Sequence, residues 1–275
     1  MSDLVYAYAV VPRDADLGGA PAGVDETQLS LVREGDLAAV VSRVSSSYGE
    51  ALDDRLADIA WLGPRAAAHD GVLTWASDNG PLVPLPLLSL FRSEDAVRGM
   101  LRERAAELRA LLAHVGRGRE YGVRVFRVDG ELRSVLADYS AGIAELARQV
   151  TEASTPGQGY LLGRKLEAMT KAELATVSRD VGARAFERLA ACALESAEDP
   201  LPSPTGVEAG VAVLDASFLV AYDRIDNFRA AVTDLVREYD GRGFRIEFTG
   251  PWPPYHFARS GATTGGHGVG EGEAS

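Results

Sequence analysis

The side chains able to do chemistry are few and scattered. The four histidines, His69, His114, His256 and His267, are too far apart to form a His-x3–5-His pair, and no cysteine cluster accompanies them. Zinc needs four closely placed nitrogen or sulfur donors, so no metal site is expected. Cys192 is the single cysteine, set among alanines in a helical pattern. It reads as a buried, inert thiol with no activating partner in sequence. Gly116-Arg117-Gly118-Arg119 lacks the lysine and Ser/Thr of a phosphate loop, and no Gly-x-Ser-x-Gly elbow or calcium-loop pattern occurs. Asp53 with Asp54, and Glu195 with Glu198 and Asp199, are candidate acid–base pairs. Carboxylates so numerous read better as solvated helix faces. No catalytic, metal-binding or cofactor-binding residue is assigned, and the chain is read as a non-enzyme without a cofactor.

Three segments stand out instead. Gly159-Tyr160-Leu161-Leu162-Gly163-Arg164-Lys165 opens the longest helical pattern. A helix start can receive an anion, although Arg164 and Lys165 in a first turn would stand at the end less favourable to cations. Either the segment packs Tyr160, Leu161 and Leu162 beneath the helix, or Arg164 and Lys165 meet a partner carboxylate. The run from Pro81 to Phe91 holds three prolines and reads as a sheet edge blunted by proline or as a rigid apolar ridge. Gly250-Pro251-Trp252-Pro253-Pro254-Tyr255 is a stiff, extended stretch with two large aromatics. It either ends a strand and closes a core or anchors an interface. The candidate partner-interface residues are Arg164, Lys165, Trp252, Pro253, Pro254 and Tyr255.

These segments need elements to hold them. Leu4 to Val11 is an apolar, β-rich strand stopped by Pro12, and Leu29–Val32 and Leu37–Val44 are further strands. A helical pattern covers 51–77, with Pro64 arguing for a kink or a break. Leu85 to Leu90 is a strand, and Ser93 caps a helix that runs to about His114. Val123–Val128 alternates apolar and basic residues, and Asp129-Gly130 reads as a turn. Residues 138–153 are helical or irregular, and 155–159 are a loop. The long helix spans Tyr160 to about Ala197, and residues 199–206 form a linker. Val207–Leu214 and Phe218–Tyr222 read as a hairpin around Asp215-Ala216. Asp226 caps a helix, Phe244–Phe248 is the last strand, and 259–275 is a disordered tail.

The fold class is therefore α+β with two domains. Residues 1–133 form an N-terminal α+β domain. Residues 134–258 form a C-terminal ferredoxin-like domain of βαββαβ type with a long helix, and strand 123–128 can pair with either. The length of 275 residues suits two domains, and a hydrophobic share of 46% suits buried cores. With 40 acidic against 28 basic residues, the net charge of −12 argues against nucleic acid or anionic lipid as partner. No stretch approaches the ~20 apolar residues of a membrane span, and the lone cysteine fits a cytoplasmic setting.

Gly250-Pro251-Trp252-Pro253-Pro254-Tyr255-His256-Phe257, following an alternating strand, resembles the closing motif of the gas vesicle GvpF/GvpL family. Further matching pieces stand in the family's order: Tyr6-Ala7-Tyr8-Ala9-Val10-Val11, Ala68-His69-Asp70-Gly71-Val72-Leu73, Glu120-Tyr121-Gly122-Val123-Arg124-Val125, and Gly159 to Lys165. Pro84 to Phe91 resembles the family's Pro-Leu-Arg-Phe-Gly-Thr stretch but replaces its Arg, Phe and Gly. The resemblance spans about residues 4–257. It implies an accessory protein of gas vesicle assembly, located at the gas vesicle and in the cytoplasm. Its implied partners are the shell protein GvpA and other accessory Gvp proteins. From the residues alone, a second reading stands: a ferredoxin-like ligand-binding module or enzyme with an anion site near 159–165.

Overall fold

The computed structural model describes residues 3–49, 57–201 and 210–258. Residues 1–2 and the segments 50–56, 202–209 and 259–275, which include parts of the expected first helix, linker and hairpin and all of the expected tail, lie outside the described residues. The chain is mixed α and β, with two four-stranded sheets and, among the described residues, seven α-helices. It forms two compact units: one runs to Arg119 and resumes at Trp252, and the other is Glu120–Pro251.

The first unit is built on β1 (Leu4–Pro12), β2 (Leu29–Glu34) and β3 (Leu37–Val44). β4 (Val83–Phe91) completes the sheet, in the order β2-β3-β1-β4. β1 is central and antiparallel to both neighbours, pairing Leu4 with Val44 and Pro12 with Leu37. Val5 to Val11 are buried without interruption, which is why the strand is uniformly apolar rather than alternating. β4 is an edge strand, where Pro84 and Pro86 cost no ladder bond toward the outside. Its register against β1 jumps from Ser89 opposite Ala7 to Pro84 opposite Ala9. The surplus residues form a bulge in which Leu88 takes φ 64°.

Helix α1 (Ile59–Asn79) is capped by Asp58, whose side chain accepts from the Ala60 and Trp61 amides. It stays one helix through Pro64, so of the expected kink or break the break does not occur. Pro64 removes a single bond near the helix start, and the buried face at His69, Val72, Leu73 and Ala76 holds the remainder. The helix expected after Ser93 is instead two, α2 (Glu94–Glu103) and α3 (Ala105–Val115). They divide at Arg104, whose backbone sits at φ −100°, ψ 12° and whose guanidinium clasps Glu107 in the first turn of α3. Tyr6, Tyr8, Val11, Val40, Leu73 and Leu82 centre this unit's core.

The second sheet is built on β5 (Gly118–Arg127), β6 (Glu195–Glu198), β7 (Val211–Ala221) and β8 (Phe244–Trp252), in the order β6-β7-β5-β8. β5 (Gly118–Arg127) is longer than the strand expected at 123–128 and pairs in this sheet. Asp129-Gly130 opens α4 (Asp129–Tyr139) rather than a turn, because Asp129 and Glu131 favour the positive helix start. Ser140 then caps α5 (Ala141–Thr151) through the Ile143 amide. The 155–159 loop is also corrected: Thr155 is the N-cap and Pro156 the opening residue of α6 (Pro156–Ala190). That helix stops at Ala190, and Glu195–Glu198 is β6. The expected hairpin is one strand, β7 (Val211–Ala221), straight through Asp215 and Ala216 and antiparallel to β6. Asp215 needs no turn because its carboxylate accepts from Arg124 Nε at 3.0 Å on β5 and its carbonyl accepts from the Asp199 amide. α7 (Ile225–Tyr239) starts after Arg224, without the side-chain cap expected from Asp226, and β8 (Phe244–Trp252) runs past its expected end. The core gathers Val123, Val125, Leu136, Val181, Phe218 and Phe228.

Candidate functional site

The closing segment divides its residues between two environments. Pro253 and Pro254 are buried, and Phe257 is fully buried. Tyr255 is half-buried, packs against the first unit's core, and donates its hydroxyl to the Asp70 carboxylate on α1. The Ala258 amide bonds the Pro254 carbonyl at 3.0 Å, which closes the segment into a tight turn. Trp252 does the opposite: 42% of it is exposed. An indole followed directly by two buried prolines has little backbone freedom to lose on binding.

Arg164 and Lys165 lie in the third turn of α6, not its first, because the helix starts at Pro156. They are therefore too far along to share an anion site with the helix N-terminus. Both are exposed, and among the described residues neither forms an ion pair. Tyr160 and Leu161 are 65% and 69% exposed, so they do not pack beneath the helix. The pairs Tyr160–Arg164 and Leu161–Lys165 are four apart and share one helix face. That face joins apolar surface to two positive charges on a chain whose net charge is −12. The inner side of the same stretch packs through Leu166 and Met169.

A buried polar network is the feature that sequence reasoning missed. Tyr6 hydroxyl meets His69 Nδ1 at 3.0 Å and accepts the Leu88 amide of the bulge at 3.0 Å. Tyr8 hydroxyl pairs with Ser42 Oγ at 2.9 Å and accepts the Val24 amide at 2.8 Å. Tyr48 donates to Asp25 at 2.6 Å and accepts from Arg65 Nε, and Arg65 stacks over Trp61 at 4.3 Å. Burial pushes the Tyr6 phenol well up, raises the Tyr8 phenol, takes Tyr48 up to about 12, and lowers His69 below the usual imidazole range. The phenols thus stay protonated and His69 stays neutral near pH 7. The available signal was Tyr6 and Tyr8 on one face of an otherwise apolar strand, since buried hydroxyls require partners. Beside the network, His69, Pro84, Leu87, Arg104, Glu107 and Tyr255 line a cleft of about 440 Å³. Its cation and anion neutralise each other through two bonds, Arg104 Nε and Nη2 to Glu107, at 2.9 and 2.8 Å.

Among the described residues, no three His, Cys, Asp or Glu side chains are grouped to hold a metal ion. No helix among them is long and apolar enough to cross a membrane.

Comparison with known proteins gives a consistent picture. Residues 4–259 match the family described as gas vesicle synthesis protein GvpL/GvpF. The chain is 32% identical to gas vesicle protein L of Streptomyces sp. (strain CB03234) over 260 residues, covering 93% of this chain and 92% of that protein. It is 25% identical to gas vesicle protein F of Haloferax mediterranei, covering 94% of each. In fold it resembles the crystal structure of GvpF from Anabaena sp. PCC7120, with a TM-score of 0.68 at 20% identity, over 94% of this chain and 99% of that one. GvpF from Microcystis aeruginosa superposes with a TM-score of 0.66 at 16% identity, over 94% of this chain and all of that one. The family's motifs, its whole-length match and its fold coincide here, and the chain belongs to the GvpL/GvpF family of gas vesicle synthesis proteins, with a role in gas vesicle formation.

Proposed function

We propose that the chain is a non-enzymatic accessory protein required for gas vesicle assembly, working in the cytoplasm and at the vesicle by binding the shell protein GvpA and other Gvp proteins. The observation that carries this is Trp252, a large indole left 42% exposed while Pro253, Pro254 and Phe257 around it are buried. Rigid aromatics of this kind dominate interface energetics. The Tyr160, Leu161, Arg164 and Lys165 face of α6 is a second contact surface, with charge to meet a partner carboxylate. In this reading the second unit is a ferredoxin-like domain, with α4 and α5 inserted after its first strand. The chain order β5-α6-β6-β7-α7-β8 and the sheet order β6-β7-β5-β8 support that assignment.

The test is capture of GvpA by immobilised protein, wild type against Trp252→Ala, together with vesicle formation in cells lacking the gene. Loss of capture and of vesicles is expected; normal vesicles in the deletion strain would overturn the proposal. The alternative of a ligand-binding module with an anion site at 159–165 is weakened by the position of Arg164 and Lys165 in the third turn.

A further inference from the structure

A second concave surface of the first unit carries chemistry that the assembly reading does not use. The loop after β1 lies over the end of α1 and encloses a pocket of about 440 Å³. Its floor is Val40 and its walls include Leu17 and Trp75, and Asp14, Asp16 and Asn79 stand at its rim. Two turns, Ala15 amide to Pro12 carbonyl at 3.1 Å and Ala20 amide to Leu17 carbonyl at 3.0 Å, hold the loop. The pocket is therefore formed in the free protein.

Three sources of negative potential converge there. Asp14 and Asp16 have no hydrogen bond or ion pair among the described residues. The C-terminal turn of α1 ends at the pocket and has no basic residue of its own, so its carbonyls add a partial negative charge. The indole face of Trp75 attracts cations. The nearby arginines stand outside the pocket lining. Arg13 donates to the Gly35 carbonyl at 2.6 Å, Arg119 is held by Ser77 and Asp78, and neither lines the pocket.

From this geometry we infer that the Asp14–Asp16–Trp75 pocket is a docking site for a lysine or arginine side chain presented by a partner protein. The apolar wall takes the alkyl stem, the indole and two carboxylates take the charged head, and a neutral or acidic side chain gains little. This inference uses neither Trp252 nor the α6 face and stands or falls separately from them.

The experiment is an NMR titration of the full chain with capped Gly-Lys-Gly, Gly-Arg-Gly and Gly-norleucine-Gly tripeptides, read at the Trp75 indole N–H. Trp75→Phe assigns that signal. Saturable movement is expected with the lysine and arginine peptides and not with norleucine. The double variant Asp14→Asn/Asp16→Asn, whose changes fall on exposed side chains, should weaken the cationic peptides about tenfold. A still indole signal, equal binding of the norleucine peptide, or unchanged affinity in the double variant would each overturn the assignment.

Discussion

Truncating two aromatics five residues apart separates an interface from a core. Phe257 is fully buried, and Phe257→Ala should cost about 3–5 kcal/mol of stability, the usual range for an aromatic removed from a packed site. Trp252 is 42% exposed, so only part of its side chain leaves water on folding. Scaling the same range by the buried remainder gives about 2–3 kcal/mol for Trp252→Ala, and less where the site relaxes. Partner binding should respond in the reverse order. Loss of an anchoring indole costs about 2 kcal/mol or more of binding, on the order of a 30-fold weaker complex. Urea unfolding followed by circular dichroism gives the first quantity and GvpA capture over a concentration series gives the second. Trp252→Ala should lose less stability than Phe257→Ala and capture poorly. If it unfolds as readily as Phe257→Ala, or captures as well as wild type, Trp252 is packing rather than contact and the interface lies elsewhere.

The remaining expectations concern the elements behind the surfaces. Because burial lowers the His69 pKa, the unfolded chain takes up this proton first as pH falls. Its contribution is intact above the unfolded value of ~6.5 and is lost as pH drops through the lower folded value. The urea midpoint should therefore fall from about pH 7 to about pH 5, and His69→Gln, which cannot titrate, should flatten that part of the curve. Gly243 sits at φ 89°, where an added Cβ would overlap the Leu132 backbone. Gly243→Ala should cost roughly 1–3 kcal/mol or more, measured as a lowered melting temperature. By contrast, Tyr160→Ser with Leu161→Ser should change stability by no more than the ~0.5 kcal/mol typical of surface changes, read as a nearly unchanged melting temperature. A large drop there would show that the α6 face is covered in the folded chain.

How much of this was legible depended on whether the decisive partner was close in sequence. β1 was readable because Leu4 to Val11 is apolar without a break, and its stop at Pro12 is local chemistry. The α6 start was written in local signals too: Thr155 and Pro156 are an N-cap and first-turn pair, but Gly157 and Gly159 made the stretch look like a loop. β7 could not be read correctly from its own residues. Asp215 is a turn former until Arg124, 91 positions away, supplies its ion pair. The Tyr6–His69 bond spans 63 positions and the Tyr8–Ser42 bond 34, so the polar network was invisible even though each member was in plain view. Arg164 and Lys165 shifted from first turn to third when the helix start moved from Tyr160 to Pro156.

The closing motif shows why a family signature and a binding surface need not coincide. Pro253, Pro254 and Phe257 are held by burial. Any change there acts first on stability, and the constraint would exist with no partner at all. Trp252 lacks that reason: more than two-fifths of an expensive apolar side chain faces water, which the core does not demand. The same logic divides the start of α6, where Leu166 and Met169 pack inward while Tyr160 and Leu161 stay exposed. On both segments the residues that folding does not explain are the outward aromatics and aliphatics. These, rather than the prolines that make the motif recognisable, are where the proposed contacts to other Gvp proteins should be sought.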